Sequence, residues 1–304
     1  MRFRITLFTL LVASAAMGSA LAAEANGDLP SALRLHVTFD EGIEADYAAG
    51  DPRLYQFSNR EERLAGGSPI EVPLAGVEID SERGKFGGAL RLTAENEKRL
   101  FYRSDQIIDH RAAEFSGTVS VWLQTTPDED LPKAFVDPVM FISENHHAGF
   151  LFIEWSRDHE PKRFRYTIWP ETTRWNPNKT DWESIPDDER PMIQLDYQPF
   201  SRDRWVHVAF TYDRINAGEL GSGSLFIDGV KQGTIEGWDM TFAWDPAHVI
   251  IALGWSYVGG IDDLAIFDRA LSAAEIRQIR DAPQGLKSLL RPNDTPPSSP
   301  PPTP

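Results

Sequence analysis

The chain has 304 residues, 46 of them acidic and 30 basic, and no cysteine. A formal charge of −16 repels phosphate backbones and anionic lipid, which argues against nucleic acid and membrane surfaces as partners. Without cysteine there is neither a disulfide framework nor a thiol nucleophile, so the fold must rest on a core that a chain of this length can bury unaided.

Met1-Arg2-Phe3-Arg4 gives a positive start, Ile5 to Gly18 is apolar, and Ser19-Ala20-Leu21-Ala22-Ala23 offers small residues in an A-x-A arrangement. That order is the signature of a secretory leader over residues 1–22, cut after Ala22 or Ala23. Its apolar run falls short of the roughly 20 residues of a spanning helix. The expectation is a secreted, periplasmic or cell-surface protein with no membrane insertion after cleavage. Loss of Arg2 and Arg4 takes the 30 basic residues to 28 against 46 acidic ones, a net of −18. Such a surface keeps a protein soluble, and carboxylates that cluster also suit Ca²⁺, a hard cation that prefers oxygen ligands.

Past the leader, residues 23–285 read as short β runs broken by turn residues. Leu33, Leu35, Val37 and Phe39 alternate with polar residues, as a half-buried strand requires. Further strands are predicted at 87–92, 118–123, 150–155, 163–169 and 205–212. Residues 224–227 and 230–235 flank Asp228-Gly229, a hairpin turn whose positive φ angles match strand twist. Residues 249–253 and 261–267 complete the series. One helix is predicted, from a capping box of Ser272 and Glu275 through about residue 280. Many short strands and a single late helix indicate an all-β sandwich or barrel. Residues 286–304 read as a Pro-rich disordered tail, because Pro292 to Pro304 cannot build a core.

Several motifs fall in a familiar order. They are Val37-Thr38-Phe39-Asp40-Glu41, Gly84-Lys85-Phe86-Gly87-Gly88-Ala89-Leu90 and Phe115-Ser116-Gly117-Thr118-Val119-Ser120-Val121-Trp122. Arg204-Trp205-Val206-His207-Val208-Ala209 and Leu225-Phe226-Ile227-Asp228-Gly229 follow. Gly260-Ile261-Asp262-Asp263-Leu264-Ala265-Ile266-Phe267 closes the run, with Ala270 to Ile276 behind it. Together they resemble the laminin G-like domains of the concanavalin A-like lectin/glucanase superfamily. The resemblance implies a two-sheet antiparallel jelly-roll sandwich, concanavalin A-like, with one short C-terminal helix and its first and last strands adjacent.

Glu78-Ile79-Asp80-Ser81-Glu82 has the E-x-D-x-E spacing of the superfamily's glucanases, which on a strand would aim three carboxylates at one face. Ser81 and the Arg83-Gly84-Lys85 that follows make it read as a loop, so no catalytic residue is assigned. Gly254-Trp255-Ser256-Tyr257-Val258-Gly259 carries one residue too many for a nucleophile elbow. His146 and His147, as strand neighbours, would point to opposite faces, and His207 sits in an apolar strand as a core residue.

Two candidate sites remain. If the first and last strands are adjacent, Asp40, Asp262 and Asp263 could converge on a structural Ca²⁺. The excursion from Pro170 to Pro199 is rich in tryptophan and proline. Trp169, Trp175 and Trp182, with Asn176 and Asp181, suit the recognition of a carbohydrate or an extracellular protein, because flat ring faces stack on sugars while the polar groups bond hydroxyls. Trp122 and Trp205 read as core residues. The function expected is non-catalytic binding. A glycan-acting hydrolase or lyase, or a structural and adhesive surface protein, are the alternatives.

Overall fold

The computed structural model describes residues 28–290, apart from 71–73, 96, 111–112 and 158. The leader and the tail from residue 291 lie outside the described residues. In chain order the strands are β1 (Leu33–Val37), β2 (Tyr47–Ala48), β3 (Leu54–Phe57), β4 (Ser68–Pro69), β5 (Val77–Asp80) and β6 (Ala89–Leu92). Then come β7 (Arg99–Arg103), β8 (Phe115–Gln124), β9 (Val136–Ile142), β10 (Phe150–Trp155), β11 (Phe164–Trp169) and β12 (Met192–Gln194). The last five are β13 (Val206–Ile215), β14 (Ser222–Ile227), β15 (Val230–Ile235), β16 (Ile250–Trp255) and β17 (Gly259–Phe267).

Among the described residues these strands form two antiparallel sheets. One runs β15-β14-β13-β8-β17-β1-β2, with β6 also paired to β17 and β5 outside β6. The other runs β12-β11-β10-β9-β16-β7-β3-β4. The first and last strands do pair, Leu35 opposite Ile266 and Val37 opposite Leu264. The expected two-sheet sandwich is the fold.

Period-two alternation decides what fills the space between the sheets. Val119, Val121 and Leu123 of β8 and Val208, Phe210 and Tyr212 of β13 meet Val139 and Phe141 of β9 and Leu151, Ile153 and Trp155 of β10 in one cluster. Trp155 is fully buried there and stacks on Tyr257 at 5.6 Å. Trp122 and Trp205, expected in this core, lie elsewhere. Trp122 is on the opposite face of β8, buried under Phe86 and the Lys85 ammonium, while Trp205 is half-buried beneath Arg91. Both had the right hydrophobicity for a core but the wrong parity along the strand.

The helix Ala273–Arg280 begins at the predicted capping box: Ser272 Oγ accepts the Glu275 N–H, and the Glu275 carboxylate accepts the Ser272 N–H. Its Ile276 and Ile279 close over the outer face of the first sheet, against Ala209, Phe226, Ala265 and Phe267. Asp228 and Gly229 turn the β14–β15 hairpin with φ of 48° and 76°, the positive pair such a turn requires.

Three boundaries differ from the sequence expectation. Leu286, assigned to the tail, is fully buried in the cluster under the helix and donates its N–H to Asp263, so the ordered body runs past residue 285. Val77–Asp80 is a short strand rather than a loop, held by one partner at the sheet's end. Strand β9, central in its sheet, is absent from the sequence reading because Pro138 interrupts it. The proline sits where the β9–β10 register shifts, between the Ile153–Val139 and Trp155–Val136 pairs, and a bulge tolerates the missing donor.

Candidate functional site

The outer face of the second sheet carries no helix. Phe150 and Phe152 of β10, Met140 and Ile142 of β9, Phe57, Phe101 and Trp255 form an apolar surface there. Phe150 and Phe152 stack at 4.2 Å, Trp169 of β11 leans on Phe150 at 5.2 Å, and Trp182 lies parallel to Trp169 at 4.7 Å. The Arg190 guanidinium closes this ladder 4.5 Å above Trp182. Beside the ladder opens a groove of about 500 Å³, with Trp255 and Phe135 on the far side.

Its floor is polar at one end. Reading across the sheet, Arg99, Trp255, Asp137, Glu154, Arg165 and Gln194 stand on adjacent strands in one row. Arg165 donates to Glu154 at 3.1 Å and to Gln194 at 2.8 Å, both partners of the ion pair being buried. Arg99 stacks over Trp255 at 4.6 Å. Asp137 is held well above the usual carboxylate range, first by burial and then by the Glu154 carboxylate, against which Arg99 works.

Of the residues expected here, Trp169, Trp182 and Asp181 line the groove. Trp175 packs edge-on behind both rings, at 4.7 Å from Trp169 and 5.7 Å from Trp182, and so buttresses them. Asn176 is buried and grips both the N–H and the carbonyl of Thr180, which shapes the loop. Asp137, Glu154, Phe150 and Phe152 were not foreseen. The continuous apolar run of Phe150 to Trp155 was legible as a strand. That its outward side chains would stay uncovered was not.

A model of the concanavalin A-like lectin/glucanases superfamily, of laminin G type, matches residues 104–277, more than half of the chain. The chain belongs to this superfamily. No curated protein sequence matches it. In structure it resembles domain 4 of an extracellular arabinanase from Geobacillus stearothermophilus, solved with arabinotriose: TM-score 0.50, 16% identity, 81% of this chain and 97% of that one. It also resembles the receptor-binding domain of the botulinum neurotoxin C/D mosaic serotype, TM-score 0.52 at 10% identity, over 84% of this chain. The serotype D ligand-binding domain, solved with N-acetylneuraminic acid, gives 0.50 at 11% identity over the same 84%. This chain spans about half of each toxin chain, 52%. At such identities these likenesses concern the concanavalin A-like fold.

The glucanase-like E-x-D-x-E series does not face this groove. Glu78 and Asp80 stand on β5 of the other sheet, Asp80 tied to Arg83 at 2.6 Å, and Glu82 is exposed in the turn that follows. His146 and His147 share a single 3-10 turn, not a strand, with rings 4.0 Å apart, and His146 reaches the rim of the groove. A larger hollow of about 990 Å³ opens elsewhere, among Asp105, Asp109, Glu114, Asp213 and Asp268, without tryptophan in its lining.

The three aspartates expected to hold Ca²⁺ are brought to one end of the first sheet, where the 84–88 loop and residues 286–287 also arrive. Asp40 accepts from Gly88 N–H and the Lys287 ammonium, at 2.7 and 2.6 Å. Asp262 accepts from the N–H groups of Lys85, Phe86 and Asp263. Asp263 is bonded to His36 at 2.7 Å and accepts the Leu286 N–H at 2.9 Å. Every one of these carboxylate oxygens faces a donor, including a lysine ammonium. That set fits anchors for loops and does not fit a cation cage, which needs the same lone pairs free. Close by, His207 bonds Ser120 Oγ at 2.8 Å under the covering helix, and burial pushes its imidazole down to about 4.

Proposed function

We propose that the protein is a carbohydrate-binding module, exported by its leader, that holds glycan in the aromatic groove of the second sheet. One observation carries this reading. Rings from β10, β11, β16 and the tryptophan-rich excursion line an open groove, with carboxylates and arginines at its floor and mouth. Stacking rings beside convergent polar groups are what a sugar needs, since its ring offers apolar C–H faces and a rim of hydroxyls. The arabinotriose and N-acetylneuraminic acid found in the structural neighbours support the same ligand class.

The test is a glycan array probed with the chain from residue 24 onward, alongside Trp169→Ala and Trp182→Ala. Binding that collapses in both variants, while their far-UV spectra stay native, supports the reading. Binding indifferent to both would overturn it. For export, the amino terminus of protein recovered outside the cytoplasm should begin at Ala23 or Glu24.

A further inference from the structure

Strands β9 and β10 set two carboxylates side by side at the bottom of a hydrophobic groove, an arrangement that burial alone would disfavour. Because the register shifts between Ile153 and Trp155, Glu154 stands opposite the Asp137–Pro138 step. Val136, Val139, Ile153 and Trp155 point into the core, so Asp137 and Glu154 both take the outward side and line the groove. Only 8% of Asp137 and 3% of Glu154 is exposed, so whatever touches them must enter the groove. The ion pair with Arg165 fixes Glu154 in place and keeps it charged. One arginine contact uses only part of a carboxylate's acceptor capacity.

Resting on the carbohydrate reading above, we infer that Asp137 and Glu154 together recognise two adjacent hydroxyls of an uncharged sugar, Asp137 donating an O–H hydrogen bond and Glu154 accepting one. The rings of Phe152 and Trp255, on either side, hold the sugar edge against this pair. An acidic sugar would bring its own carboxylate against Glu154 and against Asp181 of the wall. Two adjacent carboxylates cannot both ionise in this setting without a large cost. Burial and Glu154 therefore keep the proton on Asp137, with Arg99 of β7 as the opposing charge. Arg165 lies behind Glu154, and Arg157, Asp181 and His146 stand around the opening.

The experiment is calorimetric titration of the chain from residue 24 with arabinotriose, cellotriose, xylotriose and trigalacturonic acid. At least one neutral trisaccharide should bind, and trigalacturonic acid should bind about tenfold more weakly or not at all. Raising the pH should weaken binding as Asp137 loses its proton. Asp137→Asn, which keeps a donor but cannot ionise, should flatten that pH dependence and hold affinity within about threefold. Asp137→Leu should lose about tenfold or more, the scale of one hydrogen bond to a polar partner. Thermal melts of both variants verify folding, and the pH profile of the unmodified chain needs no variant. If both variants bind as the parent does while Trp182→Ala abolishes binding, the carboxylate pair is refuted and the groove stands. If Trp182→Ala is also silent, or none of the four sugars binds, this inference fails and the array decides the groove reading by itself. Release of reducing ends that Asp137→Asn abolishes would overturn a recognition role in favour of acid catalysis.

Discussion

The two outer faces of this sandwich have opposite fates. On the first sheet, Ala209, Phe226, Ala265 and Phe267 are roofed by the helix Ala273–Arg280 and by Leu286, and the polar groups beneath are paired: His36 with Asp263, Ser120 with His207. On the second sheet, an equally apolar row of Phe150, Phe152, Met140 and Ile142 has no helix over it. A face that is covered by its own chain is part of the core in all but position. A face that keeps rings facing solvent forgoes their burial, and it is the place to look for a ligand.

The largest expected effect would break the contrast, because it lies on the open face. Arg165→Leu leaves the Glu154 charge buried without its partner and should lower the unfolding free energy by about 3–5 kcal/mol in a urea titration. On the covered face, Ile276→Ala removes a fully buried side chain and should cost about 2–5 kcal/mol in the same assay. A loss below about 1 kcal/mol would mean that the helix is a loose cover.

His207 sharpens the comparison through pH. Its folded pKa of about 4 lies below the ordinary 6.5, so between those values the unfolded chain binds the extra proton. Stability from this residue is fully present above pH 6.5 and is lost as pH falls towards 4, on the order of 1 kcal/mol per pH unit. His207→Gln should flatten that slope in melts taken across the window. A slope unchanged by the substitution would assign the pH dependence to other groups.

Trp182 offers the converse case. It is half-buried and stacked on Trp169, and its replacement by Ala should cost only about 1 kcal/mol in stability while removing glycan binding. The smallest effect concerns metal. With each oxygen of Asp40, Asp262 and Asp263 already bonded to a donor, Ca²⁺ and a chelator should give the same melting midpoint. A midpoint raised by several degrees in Ca²⁺ would restore the cation.

Much of the fold was legible because its signals are local. The Asp228-Gly229 turn, the Ser272–Glu275 cap and the alternation of Trp205 to Tyr212 each depend on neighbours a few residues away. Strand β9 was hidden for an equally local reason, since Pro138 argues against a central strand and only the bulge opposite β10 accommodates it. The site was half legible. Trp169, Asp181 and Trp182 sit in a polar, tryptophan-rich excursion that advertises a surface. Trp175 and Asn176 share that composition, yet one is a buttress and the other a loop staple.

By itself, then, the sequence determined the all-β class, the strand series, the late capped helix and the acidic character of the chain. These follow from periodicity, turn chemistry and composition, which are written in consecutive residues. Tertiary structure alone decided which sheet face the helix would cover and which it would leave bare. It also decided that Asp137 and Glu154, far apart in the chain, would stand side by side, and that Asp40, Asp262 and Asp263 would meet backbone N–H groups and a lysine. Those outcomes depend on the register and order of strands brought together from distant parts of the chain, and no short window of sequence encodes them.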